Sequence, residues 1–367
     1  MSLIKNIYNT SFYEHLAQYL EPHMVSGNKK TFVTAMMPPA FEQMEWKERV
    51  VHTTQTLQQF LPADYPKAVG ILVQVIDAIE KDHPGIEKLA YVIFPDYLAR
   101  FGLDDLETST RAMERMTQFI TCEFGVRPFI LKYPELMLEQ MTKWSLHPSH
   151  KVRRLASEGS RPRLPWAVAL PFLKKDPQQV IPLLSNLMED ESDWVRKSVA
   201  NHLNDISKDH PEVFLSFVKN WQGKSKATDA IIKHGARTLL KQAHPDIVVL
   251  FELNQSAFEL TQYRVITPQV LWGAHLEFAL TVKNTSPSPV ALRLEYAMYY
   301  RKANNTLSKK VFKISERTVL PYDSITVTRR QSFKAITTRV YYPGLHQVAV
   351  IVNGVEHQKQ DFELLAM

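Results

Sequence analysis

The spacing of apolar positions along this chain changes once, near residue 250. Up to about residue 248 they recur three and four residues apart, broken by prolines and short polar loops, which predicts amphipathic helices. The stretch "DWVRKSVANHLNDISKDHPEVF" is the clearest case: Trp194 or Val195, Ser198, Val199, His202, Leu203 and Ile206 make one face. Core packing is expected for Trp194, which opens that face. The helix is predicted to stop at "DHP", because proline disfavours helical geometry in the residue before it. From about residue 252 the grammar is alternation. "HLEFALTVKNTSPSPVALRLEYAMYY", "KKVFKISERTVLPYDSITVTRRQSF" and "GLHQVAVIVNGVEHQKQDFEL" read as strands separated by turn residues, an antiparallel sandwich. The expected architecture is mostly α: a helical domain over residues 1–248, then an immunoglobulin-like β-sandwich over 252–367.

The helical part repeats itself. "VRRLA" begins at Val152, "VRKSVA" at Val195, 43 residues on, and "KHGARTLL" at Lys233, 38 residues after that. A period of about forty built from helix pairs predicts a HEAT-like α-solenoid, whose concave side is a long binding surface.

Charge sharpens the picture. Residues 1–140 hold 13 Lys and Arg against 18 Asp and Glu, residues 141–241 hold 17 against 10, and residues 250–367 hold 14 against 9. Two basic regions following an acidic one suggest a polyanionic partner, most commonly nucleic acid. Cys122 is the one cysteine, so an intramolecular disulfide and a zinc-thiolate cluster are excluded, and the thiol is expected to be a small buried residue. The sandwich must therefore rest on packing. The N-terminal stretch has no apolar run of signal-peptide length and no segment approaches a membrane span, so a cytoplasmic protein is expected. His147 and His150 in "HPSH" are three apart, yet His-Pro recurs at 83–84, 210–211 and 244–245, so a helix-terminating loop is the better reading than a metal site. No phosphate-binding glycine loop or GxSxG elbow is present.

Once the helices are drawn, the charges fall in rows. Lys151, Arg154 and Glu158 share one stripe; Lys197, Asn201 and Asp205 make a second; Lys233, Arg237 and Lys241 make a third. If the helices stack in parallel, the rows form a basic groove suited to a phosphate backbone, with two acids inside it. A carboxylate repels that backbone, so binding gives no reason for Glu158 or Asp205. Each either orients an arginine, as Glu158 would orient Arg154, or stabilises a cation formed in a reaction, such as the oxocarbenium-like sugar left when an N-glycosidic bond breaks. Trp144, Trp166 and Trp194 lie on or beside these elements, Trp166 directly after "RPRLP".

Four segments, "CEFGVRPFI" (122–130), "VRRLASEGSRPRLPW" (152–166), "VRKSVANHLNDISKDHP" (195–211) and "KHGARTLL" (233–240), resemble the AlkC branch of the HEAT-like-repeat DNA glycosylases. The resemblance covers most of residues 1–245, and an immunoglobulin-like C-terminal domain occurs in part of that family. It implies a monofunctional, metal-free and cofactor-free enzyme of the bacterial cytoplasm, associated with the nucleoid and acting as a monomer on double-stranded DNA. Its expected substrates are 3-methyladenine, 3-methylcytosine and 1-methyladenine, excised without the base flipping that most base-modifying enzymes use. By motif position Glu158, Glu123 and Asp205 match the acidic cluster of the site, with Glu158 first. Glu123 either touches the site or braces Arg127 or Arg154. The expected DNA contacts are Lys151, Arg154, Arg161, Arg163, Trp166, Lys197, Asn201, Lys233, His234 and Arg237. Lys309, Lys310, Arg329 and Arg330 are expected to extend the grip from the sandwich. The rival readings are a non-catalytic protein that recognises branched or damaged DNA, and a protein–protein scaffold.

Overall fold

Many of the prolines that interrupt the apolar pattern mark where helices begin. Pro66, Pro128, Pro134, Pro171, Pro182, Pro211 and Pro245 each occupy one of the first two positions of a helix. There the missing N–H has no intrahelical acceptor to lose and the fixed φ suits the first turn. The computed structural model describes residues 4–337 and 339–366. Its backbone contacts divide the chain into two units, Met1–Gly235 and Ala236–Met367.

In the first unit the helices His150–Gly159, Asp193–Asp209 and Lys226–Gly235 pack side by side. Cross-contacts rise together in number along each pair. Ser157 meets Ser198 and Arg161 meets Asp205; Asn201 meets His234 and Ser207 meets Gly235. The three helices are therefore parallel, the arrangement that the roughly forty-residue repeat requires. Their inward faces are apolar, with Val152, Leu155, Val195, Val199 and Leu203 buried. His210 closes the long helix with a non-helical backbone and Pro211 starts the next.

The third row departs from expectation. Lys233, Arg237 and Lys241 do not share a helix, because the Lys226–Gly235 helix ends and a separate one, Arg237–Lys241, follows. Gly235 ends the first of these helices and packs closely there: a Cβ would lie 3.1 Å from both Leu203 and Phe214, a tight fit, and its carbonyl accepts from Ser207 Oγ at 3.4 Å. Arg237 and Lys241 fall in the second unit.

That unit carries a β-sandwich. The strands are β1 (Phe258–Val265), β2 (Gln269–Val270), β3 (His275–Asn284), β4 (Val290–Arg301), β5 (Leu307–Val319), β6 (Ser324–Ser332), β7 (Gly344–Val352), β8 (Val355–Glu356) and β9 (Gln360–Leu364). One sheet has the order β1-β3-β6; the other runs β2-β9-β7-β4-β5, with β8 beside β7. All pairings are antiparallel except β2 with β9. The Asn-Thr-Ser-Pro-Ser-Pro turn passes from one sheet to the other: buried Asn284 donates to the carbonyls of Ser288, Val319 and Leu320. With no disulfide, the inner faces are held by Leu276, Phe278, Leu280, Leu292, Leu294, Tyr296, Val348, Val350 and Phe362. Strand β4 is buried on both faces over Leu292–Met298, so Arg293 and Glu295 lie buried on its outer face, joined at 2.6 Å.

Candidate active site

Glu158 stands one residue before the end of the His150–Gly159 helix. The glycine after it is needed for packing, since a Cβ would come 2.8 Å from Val126 Cγ1. That close approach brings Arg127 beneath the helix end, where carbonyls lack intrahelical partners. Arg127 is fully buried; its Nη1 donates to Gly159 O at 2.9 Å and Arg161 O at 2.8 Å, and its Nε to Val168 O at 2.5 Å. Burial and the neighbouring Arg161 charge lower its pKa to about 10, against the pull of Asp205 and Glu158.

Held in this way, the chain turns and Arg161 reaches back to two acids on different repeats. Its Nη1 donates to Glu158 Oε1 at 2.6 Å and its Nε to Asp205 Oδ2 at 2.9 Å. Ser198 Oγ donates to the other Glu158 oxygen at 2.6 Å, and Lys208 Nζ to the other Asp205 oxygen at 3.1 Å. Glu158 is 6% exposed and Asp205 1%, so of the two it is Glu158 that retains an outward surface. A carboxylate has about four lone-pair sites; the Arg161 and Ser198 bonds leave Glu158 capacity for a water or a sugar. Buried ion pairs are a weak source of net stability, because apolar groups of equal volume serve as well. What the network supplies is fixed orientation in a low dielectric.

Beside it Arg154 donates to Glu123 Oε2 at 2.5 Å and lies 4.0 Å from Glu158 Oε2. Of the two arginines weighed for Glu123, this structure pairs it with Arg154. Glu158 takes its close bond from Arg161 rather than from Arg154. The Arg154 guanidinium also covers the Trp194 ring at 4.3 Å. Trp194 is therefore not the core residue that the periodicity suggested; it is 45% exposed, and Val195 fills the core position. Trp194 lies instead against Arg154 and His150. Trp144 is buried and donates to Glu114 at 2.8 Å. Cys122 is buried as expected, and burial pushes its thiol pKa up. His147 Nδ1 accepts from the Ser149 N–H at 2.9 Å, in keeping with a loop role.

The remaining expected contacts divide. Lys197 and His234 are exposed and line a groove of about 300 Å³ together with Arg196, and His234 bonds Asn201 at 3.0 Å. Lys233 is also exposed. Lys151 is drawn inward to Gln118 O at 2.5 Å, and Arg163 forms a two-point pair with Asp209 at 2.6 and 3.1 Å. In the sandwich, Lys309 pairs with Glu356, and Arg330 with Glu277 at 3.0 Å. Trp166 is 72% exposed and adopts a left-handed backbone, φ 67°, with Lys47 Nζ donating to its carbonyl at 3.0 Å. It borders a cleft of about 420 Å³ lined also by Trp46, Val51, Phe124, Pro128 and Val168.

Two polar members of the apolar face, Ser198 and His202, belong to the site's foundation, and the sequence already set them on that face four residues apart. His202 is fully buried; its Nδ1 lies 3.0 Å from Ser157 O, and burial and Arg161 lower its pKa to about 3. The unfolded chain, with histidine near 6.5, binds a proton that the folded chain refuses. Stability is then full above pH 6.5 and falls on acidification, by about 1.4 kcal/mol per pH unit. His202→Asn retains a donor toward Ser157 O without the titration. It is expected to flatten the acid limb by about 2 kcal/mol between pH 6.5 and 5, measured by urea unfolding; an unchanged limb would show that His202 does not control it.

Comparison with known proteins adds the family. Residues 106–244 match the family described as DNA alkylation repair enzyme, and residues 259–366 match the C-terminal Ig-like domain of YhaZ. The Bacillus subtilis protein YhaZ, itself uncharacterized, is 39% identical over 365 residues, which is 99% of this chain and 100% of that one. Among solved structures, the alkylpurine DNA glycosylase AlkC of Pseudomonas fluorescens, bound to DNA containing an abasic site analog, matches with a TM-score of 0.93. Its identity is 32%, with all of both chains covered.

Proposed function

Because the chain belongs to the DNA alkylation repair enzyme family, we propose that it is a monofunctional DNA glycosylase. It excises cationic N-alkylated bases, 3-methyladenine, 3-methylcytosine and 1-methyladenine, from double-stranded DNA without swinging the base out of the helix. The observation that carries this reading is Glu158, fixed at 2.6 Å by both Arg161 and Ser198 within a run of basic helices.

The chemistry follows from charge. A positively charged base is already a good leaving group, so no general acid is needed. The C1′–N bond breaks with both electrons going to the base, which becomes neutral, and the sugar turns oxocarbenium-like. A fixed carboxylate in a poorly solvated wall stabilises that charge far more than water does, because it needs no reorganisation. Water then adds at C1′ and loses its proton, with the carboxylate as the orienting acceptor. Asp205 acts through Arg161, Glu123 through Arg154, and Trp166 meets the lesion nucleotide.

Incubating the protein with duplex DNA carrying 3-methyladenine or 3-methylcytosine should release free base, detected by mass spectrometry. Binding without release would favour the non-catalytic reading. Lys197, exposed on the basic groove, is assigned a phosphate contact. Lys197→Ala should weaken binding alike for all sequences and reduce the slope of log K against log salt by about 1. An unaltered slope in a salt titration would remove Lys197 from the interface. The sandwich is assigned an assisting role in DNA binding.

A further inference from the structure

We infer that Arg127 is a positioning residue for base excision: its buried guanidinium sets the path of segment 160–168 and so aims Glu158, Arg161 and Trp166. The inference rests on the glycosylase reading above.

The three carbonyls that Arg127 grips bracket this segment. Gly159 O ends the helix directly after Glu158, Arg161 O sits where the chain turns back, and Val168 O lies two residues beyond Trp166. The side chains of Arg161 and Arg163 and the Lys47 bond to Trp166 O also tether the segment, but its backbone has little regular hydrogen bonding of its own. It contains no helix or strand, and Pro162 and Pro165 have no N–H to donate. Its backbone bonds are long: Arg161 N–H to Glu158 O at 3.3 Å, Ala167 N–H to Leu164 O at 3.3 Å, and Leu170 N–H to Pro162 O at 3.2 Å. Within it Trp166 holds a left-handed backbone that an unconstrained chain would leave.

One planar fork, fixed from the neighbouring Arg127–Lys132 helix, therefore replaces the hydrogen bonding that secondary structure would provide. A lysine brings the same charge but a single point with no fork, so it cannot hold three carbonyls in this geometry. The distinction is testable, because charge and shape separate in the two variants.

Arg127→Lys and Arg127→Met in the full chain are to be compared by single-turnover release of 3-methyladenine, by Kd for undamaged duplex, and by limited trypsin digestion. Both variants should excise about 10- to 100-fold more slowly, since a displacement of about an ångström has that effect. Their Kd should stay within about threefold of the parent. The Arg163–Leu164 bond should become cleavable before the rest of the chain. Should either variant fail to fold, Pro162→Gly with Pro165→Gly loosens the same segment without touching Arg127, and the same split between rate and Kd is expected. Parent-like excision by Arg127→Lys or Arg127→Met, or by the proline variant, would overturn the inference. So would losses of rate and binding that run in step with thermal stability. If the parent protein releases no base while trypsin still distinguishes the variants, it is the glycosylase reading that fails and the loop-setting role that stands.

Discussion

Glu158→Gln is expected to slow base release by about 10²- to 10³-fold, the range seen when one preorganised electrostatic group is removed, while Kd for duplex DNA stays within about twofold. The amide keeps the shape of the side chain. One oxygen still accepts from Arg161, and the Ser198 hydroxyl can rotate to accept from the new NH₂ group. What is lost is the negative charge that the proposed mechanism sets against the sugar, where it would act in the transition state and not in binding. The loss should therefore appear in the single-turnover rate. A rate within tenfold of the parent would remove Glu158 from the reaction and hand the role to Glu123.

Asp205→Ala should act on folding. Asp205 is 1% exposed and receives both Arg161 Nε and Lys208 Nζ. Without it Arg161 remains buried beside Arg127 with only Glu158 as counter-charge. Removing one partner from a buried pair costs about 3–5 kcal/mol, which for a unit of this size lowers Tm by roughly 10 °C. The Arg163–Asp209 pair, whose side chains are 37% and 28% exposed, is the built-in control. Asp209→Ala should change stability by less than about 1 kcal/mol. Thermal unfolding of the two variants separates the cases, and equal small effects would mean that the Arg161 cluster is open to water.

The pattern of apolar residues was enough to read the change from helices to sandwich, the repeat, and the gathering of Glu158 and Asp205, because all three depend on periods of 3.6, 2 and about forty residues. What escaped it depends on single long side chains or single backbone points. Arg127 reads as an ordinary cation in "GVRPFI"; that its fork lies under another helix is invisible to periodicity, although a cation amid five apolar or small neighbours was a signal. Trp194 fits the apolar face by counting, yet Val195 takes the core position and the indole lies over Arg154. The third basic row failed because the helix stops at Gly235 and a separate short one carries Arg237 and Lys241. Strand β4 buries Arg293 and Glu295 on its outer face, where they pair with each other and Arg293 also with Glu316, which alternation alone does not reveal.

The left-handed turn at Trp166 carries a lesson for laboratory evolution. Glycine would sit in that conformation without strain, whereas a bulky residue there costs on the order of 1 kcal/mol. A library screened only for heat resistance should enrich glycine at this position. If Trp166 has the lesion-contacting role proposed above, such a screen would trade activity for endurance at one backbone torsion, so the two selections have to be applied together.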